Sequence, residues 1–254
     1  MAGIPDSLKG RNYTRVSDWS RDELALALDL ADELKQERLR RKELRVLPGR
    51  TIGMIFHKPS TRTRVGFEVG IAELGGMALY LPAADLQLAR GESYRDTALV
   101  LSRFVSALLI RTFDQEEVDI FAEHASIPVI NGLTDLAHPL QALADAMTIR
   151  ERLGGLEGVR LTYLGDGNNV CHSLMRLAAR FGMHFTAACP AGYEPLPEVV
   201  AADRPDGALF AVGGQAIGVG LVVDRPEKRP IADRLRAVAL GPQGLIRYNN
   251  TRAA

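Results

Sequence analysis

Strand-length apolar runs alternate with longer helical stripes from residue 51 to residue 189, and this alternation limits the chain to layered α/β folds with parallel sheets. Thr51 to Phe56 is one such run, and the stripe Val65, Phe67, Val69, Ile71 and Leu74 predicts a helix that stops at Gly75-Gly76. Met77 to Leu81 reads as a second strand and Asp96 to Val105 as a helix. Ala107 to Ile110 is a third strand, Gln115 to Ala125 a helix, and Ile127 to Ile130 a fourth strand followed by a turn at Asn131 to Asp135. A helix from Pro139 to Leu153 closes at Gly154-Gly155, and the cycle restarts with a strand at Val159 to Leu164, a turn at Gly165 to Asn169, a helix through Leu174, Leu177, Ala178 and Phe181, and a strand at His184 to Cys189. Ahead of these, Ser20 and Glu23 form a capping box for a helix striped by Leu24, Leu28, Ala31 and Leu34. The expectation is two α/β domains, 1–153 and 154–254, with parallel sheets flanked by helices.

Ligands in such sheets gather where strands end, so the residues just past each strand are the candidates. The first strand delivers Ser60, Thr61, Arg62, Thr63 and Arg64 to the start of a helix. There, unpaired N–H groups and the positive end of the helix dipole favour a phosphate, and hydroxyls with a guanidinium fork add directed hydrogen bonds. The third strand delivers Arg111 and Thr112, the fourth His138 with Gln141, and the later βαβ unit Asp166, Asn168 and Asn169. Each alone reads equally well as a cap or a surface charge. Their placement at the same edge is what makes them a set.

Composition narrows the ligand. Lys plus Arg equals Asp plus Glu at 31 each, so no overall basic field points to nucleic acid or to an anionic membrane. No window is apolar enough to span a bilayer, and Cys171 and Cys189 make neither a disulfide framework nor a metal spacing; a soluble cytoplasmic protein without a metal is expected. The Gly165-Asp166-Gly167 turn lacks the spaced glycines of a dinucleotide fingerprint, so no nicotinamide or flavin cofactor is expected.

The string from Phe56 to Arg64, with His57-Lys58-Pro59 ahead of Ser60, resembles the carbamoyl phosphate signature of the aspartate/ornithine carbamoyltransferase superfamily and leans to its ornithine branch. Gln87 with Gly91-Glu92-Ser93 is similar to the stretch after that family's second strand, and Ile110 to Phe113 to its carbamoyl phosphate arginine segment. Asn131 to Asp135 followed by His138-Pro139-Leu140-Gln141 is similar to its H-P-x-Q motif, with Leu140 where many members have cysteine. Gly165 to Asn169 resembles the segment whose second asparagine contacts ornithine. The resemblance runs from about residue 7 to 199. After Val200 the family's Ser-Met-Gly loop, His-Cys-Leu-Pro segment and late arginine are absent, which makes the second domain incomplete and atypical beyond about 200.

By this resemblance the chain transfers the carbamoyl group of carbamoyl phosphate to L-ornithine, giving citrulline and phosphate in arginine metabolism, as a homotrimer without cofactor. The resemblance implies Ser60, Thr61, Arg62, Thr63, Gln87, Arg111, His138 and Gln141 as carbamoyl phosphate contacts, with Arg62, Arg111 and His138 catalytic, and Asn169 as the ornithine contact. Two other readings stay open: a carbamoyltransferase for another amine such as aspartate, and a carbamoyl phosphate-binding protein without turnover.

Overall fold

Ser20 opens the first helix, α1 (Arg21–Leu39), with the reciprocal cap the sequence predicts: its hydroxyl accepts from the Glu23 N–H at 3.3 Å and the Glu23 carboxylate accepts from the Ser20 N–H at 2.8 Å. Leu24 and Leu28 are its buried positions. The computed structural model describes residues 8–203 and three later segments, 209–212, 219–224 and 245–248. Most of the stretch expected to depart from the family pattern after residue 200 lies outside the described residues. The chain divides into two compact units, Met1–Leu140 and Gln141–Ala254.

In the first unit, β1 (Thr51–Phe56), β2 (Met77–Pro82), β3 (Ala107–Arg111) and β4 (Val129–Leu133) form a wholly parallel sheet in the order β2-β1-β3-β4. The crossovers carry α2 (Thr61–Glu73), α3 (Tyr94–Leu101) and α4 (Gln115–His124). Two apolar layers cover the sheet. Ile55, Leu108 and Ile110 pack with Val118 and Phe121 of α4, while Met54, Phe56 and Leu109 pack with Ile71 of α2. This alternation, two residues per repeat, decides which way each residue at a strand end points.

Expected boundaries move at two places beside the site, for local reasons. Ser93 caps α3 by accepting from the Asp96 N–H at 3.0 Å, so the helix begins before Asp96 and ends at Leu101. The predicted turn at Asn131 is still strand: Asn131 and Leu133 pair with β3, and the Asn131 N–H donates to the Tyr13 carbonyl at 2.9 Å on the other side. The register jumps from Ile110↔Asn131 to Arg111↔Leu133, which makes Gly132 the extra residue of a bulge. A Cβ on Gly132 would stand 3.2 Å from the Ile110 carbonyl oxygen.

Helix α5 (Pro139–Leu153) carries the chain from the first unit into the second. The second sheet runs β7-β6-β5-β8-β9. Its parallel part is β5 (Arg160–Leu164), β6 (His184–Cys189) and β7 (Leu209–Val212), with α6 (Asn169–Phe181) and α7 (Pro197–Asp203) between them in the chain. Two antiparallel strands extend it: β8 (Val219–Asp224) pairs with β5 and β9 (Leu245–Tyr248) with β8. Chain length explains the reversal. Residues 213–218 alone join β7 to β8, and a parallel return requires a crossover of a dozen or more residues.

Candidate anion-binding site

The site is built where β1 and β3 end side by side. Phe56 and Arg111 are register partners, and the next N–H, that of His57, donates to the Arg111 carbonyl at 2.9 Å. Four residues past β1, Ser60 caps α2: its hydroxyl accepts from the Thr63 N–H at 3.3 Å and donates to the Thr63 hydroxyl at 3.0 Å. Ser60 is therefore an N-cap as well as a candidate ligand group. Helix geometry leaves the N–H groups of Thr61 and Arg62 without an intrahelical carbonyl, at the positive end of the helix dipole.

Two guanidinium groups come near each other here, that of Arg62 in the first turn of α2 and that of Arg111 at the end of β3. Among the described residues neither Arg62 nor Arg111 is in an ion pair, and the Arg111 Nε is buried without a hydrogen-bond partner. Burial, with the nearby positive charge of Arg62 second, lowers the Arg111 pKa from its ordinary value. His138 joins them just ahead of α5: burial first, and then the Arg111 charge, hold its pKa down at about 3. The ring is thus neutral at pH 7. Two cations, a helix N-terminus and a neutral imidazole are the chemistry that suits an oxyanion such as a phosphate.

The structure separates the two arginines of the Ser60–Arg64 string. Arg64 donates to Glu68 at 3.0 Å and stacks 3.7 Å over the Tyr80 ring, so its charge is used within α2 and β2. Lys58 is likewise engaged, donating to Asp135 at 2.7 Å over the Phe113 ring. Gln87 starts an exposed 3₁₀ turn, Gln87–Arg90, and accepts from Arg90 at 3.5 Å; no described contact links it to Arg111 or His138. The depression bounded by Arg11, Asn12, Arg15, Asp18 and Asp119 is a structural clamp, since Arg15 pairs with Asp119, Arg11 with Glu23, and Asp18 accepts from Thr14 and Arg15.

The candidates in the second unit sit at its own strand–helix turn. Asn168 caps α6, accepting from Val170 at 3.0 Å and Cys171 at 3.4 Å, and the Tyr163 hydroxyl donates to the Asp166 carbonyl at 2.8 Å. That makes Asp166 and Asn168 structural, while Asn169 is the buried first residue of the helix. Gln141, in the first turn of α5, donates its amide nitrogen to the buried carboxylate of Asp145 at 3.1 Å. Sequence reasoning missed Glu117, whose carboxylate accepts from both Tyr94 and Thr112. The strand period was the available signal, because it sends Thr112 to the face opposite Arg111.

The depressed His138 value has a measurable consequence. An unfolded histidine takes up its proton near pH 6.5, whereas this one does so only near 3, so its contribution to stability is complete above about 6.5 and is lost as the pH falls from there towards 3. In the ligand-free protein the His138 ring resonances are expected to stay those of neutral imidazole from pH 8 to 5. Arg111→Ala, which removes the second cause, raises the inflection. A wild-type inflection near 6.5 in an NMR titration would refute the assignment.

The comparisons with known proteins bear on the same residues. Residues 11–151 match the family model described as the aspartate/ornithine carbamoyltransferase carbamoyl-P binding domain, and residues 157–209 match its Asp/Orn binding domain. The chain is 53% identical over 193 residues to the ornithine carbamoyltransferase of Anoxybacillus flavithermus, covering 76% of this chain and 62% of that protein. It is 55% identical over 204 residues to that of Symbiobacterium thermophilum, covering 80% and 66%. The chain thus spans less than two thirds of the length of these curated relatives. The ornithine carbamoyltransferase structure from Pyrococcus furiosus superposes with a TM-score of 0.77 at 47% identity, covering 81% of this chain and 67% of that one. With a match over more than half its length and a strand-end site of the matching chemistry, the chain belongs to the aspartate/ornithine carbamoyltransferase family.

Proposed function

We propose that this protein transfers the carbamoyl group of carbamoyl phosphate to the side-chain amine of L-ornithine, giving L-citrulline and phosphate. The observation that carries the reading is the pair of unneutralised guanidinium groups, Arg62 and Arg111, at the α2 N-terminus beside a neutral His138. In this reading residues 1–153 are the carbamoyl phosphate domain and 154–254 the amino-acid domain, and the reaction takes place in the cytoplasm. Among the described residues no helix is long and apolar enough to cross a membrane.

Each side chain then has a role set by its chemistry. Ser60, Thr61, Arg62 and Thr63, with the α2 N–H groups, hold the phosphate, and Gln87 adds a contact. Arg111, His138 and the Thr63 hydroxyl donate to the carbonyl oxygen as negative charge grows on it. The Asp145 carboxylate can only accept, so it holds the Gln141 amide nitrogen, and Gln141 is the contact for the carbamoyl NH2 in this reading. The neutral amine of ornithine, with Asn169 as its contact, attacks the carbonyl carbon. The carbon–oxygen bond to phosphate breaks, phosphate leaves with that electron pair, and the amine nitrogen sheds a proton. The work is orientation and electrostatics, with no covalent enzyme intermediate.

The test is citrulline formation by the purified protein from carbamoyl phosphate and ornithine, with Arg62→Ala as the blank. Turnover lost in the variant supports the reading. Carbamoyl phosphate binding without turnover in the parent protein would replace it with that of a non-catalytic binding protein.

A homotrimer is part of the proposal. Val65 and Val69 of α2 are exposed at 51 and 43%, and nothing lies within 4 Å of a Cβ built on Gly66 or Gly70 beside them. That is an apolar face another subunit can approach closely. Sedimentation velocity is expected to give three chains per particle, and Val69→Glu a smaller one; a monomeric parent protein would overturn this.

A further inference from the structure

One residue past Arg111, the strand period turns the chain to the other face of the sheet. Ile110 lies with the α4 layer and Leu109 with the α2 layer, so Arg111 points with Leu109 and Thr112 with Ile110. Thr112 is fully buried there, and its hydroxyl donates to the Glu117 carboxylate in the first turn of α4. The other Glu117 oxygen accepts from the Tyr94 hydroxyl of α3 at 2.7 Å. The Tyr94 ring lies tilted against Phe121, centroids 5.9 Å apart, and against the His57 ring at 6.3 Å. Burial and the hydrogen bond to Glu117 push the Tyr94 pKa up to about 12, so it remains a donor at all working pH values.

This cluster grips the same two strand ends that carry the anion site, from behind. The His57 N–H bonds the Arg111 carbonyl, and the Thr112 N–H donates to the Leu133 carbonyl at 3.0 Å, just past the Gly132 bulge. The backbone on both sides of the Arg111 Cα is therefore fixed, while no hydrogen bond holds the guanidinium itself at Nε. Direction must come from the main chain.

We propose that Glu117 is a positioning residue for Arg111: by holding Thr112 on one face of the sheet, it sets the direction in which the Arg111 guanidinium leaves the other face. The proposal rests on the carbamoyl-transfer reading for its kinetic consequence, but its structural consequence can be read without any turnover.

Thr112→Val removes the hydroxyl donor at nearly constant volume, Thr112→Ser keeps it, and Glu117→Gln keeps an acceptor without the charge. Misaiming a group that acts on the reacting carbonyl costs on the order of tenfold to 100-fold in rate. Thr112→Val is expected to lose that much kcat for citrulline formation, while the Kd for inorganic phosphate, held chiefly at the α2 N-terminus, stays within about threefold. Thr112→Ser restores kcat, and Glu117→Gln falls between. A role confined to folding would lower Tm and leave kcat per folded molecule unchanged, which overturns the proposal. The Arg111 Nε–H resonance, assigned by its loss in Arg111→Lys, gives the second readout. It shifts or broadens in Thr112→Val and not in Thr112→Ser if the proposal holds, and an identical resonance in all variants refutes it. Should the parent protein form no citrulline, the carbamoyl-transfer reading fails alone, and the resonance still decides the positioning role.

Discussion

Arg111→Ala is expected to lose carbamoyl transfer by on the order of 100- to 1,000-fold while the protein stays folded, since removing one donor to a developing oxyanion costs about that much. In the proposed reaction the loss falls on turnover, because there Arg111 donates to a charge that grows as the amine attacks, whereas the phosphate is assigned to Arg62 and the α2 N-terminus. Stability is spared for reasons visible at the site. Among the described residues Arg111 is in no ion pair and its Nε has no partner, so truncation orphans no buried group there, and it removes the repulsion from Arg62. The strand pairing and the His57 bond use only its main chain. Tm should remain within about 3 °C, a change of roughly 1 kcal/mol in a chain of this size. Steady-state citrulline assays beside a thermal melt check both halves. Near-normal turnover, or an unfolded variant, would each refute the account.

Gly167→Ala is expected to have the largest effect on stability. A Cβ there would stand 2.2 Å from the Pro195 nitrogen and 2.4 Å from the Glu194 carbonyl carbon, both backbone atoms. That segment cannot simply step aside. The Gly167 N–H donates to the Tyr193 carbonyl at 2.7 Å, and the Leu196 N–H donates to the Nε2 of buried His172 at 3.2 Å, so retreat breaks bonds on both sides of the clash. Overpacking combined with lost hydrogen bonds gives about 3 kcal/mol. That corresponds to a fall in Tm of roughly 6 to 12 °C. Phosphate binding should survive, since Ser60, Thr61, Arg62, Arg111 and His138 all belong to the first unit. Calorimetry checks the fall, and a Tm within about 2 °C of the parent would show that the loop yields.

The layered fold, and the strand ends and helix caps that carry the candidate site residues, were legible in the sequence because strand ends, helix caps and apolar periods are local signals. Ser20, Ser60 and Asn168 cap their helices as their residue types require, and His184 to Cys189 is a strand with the predicted limits. What the sequence hid depends on partners far away in the chain. Asn131 to Leu133 looks like a turn until Tyr13 and Arg111 are seen to pair with it. Arg62 and Arg64 are equivalent on paper, and only Glu68 and Tyr80 separate them. Glu117 is one of several acidic residues at the head of α4, distinguished only by what Thr112 and Tyr94 donate to it.

The reversed strands of the second sheet bear on how the chain is made. β5 sits at the centre of that sheet, yet its neighbour on one side, β8, begins 55 residues after β5 ends at Leu164. At ordinary synthesis rates that gap corresponds to roughly 3 to 11 seconds on the ribosome. During this interval the first sheet has all four of its strands, while β5 presents one unpaired edge to whatever is nearby. Nascent second units, rather than finished molecules, are where strand-to-strand aggregation between neighbouring polypeptides on a polysome would begin.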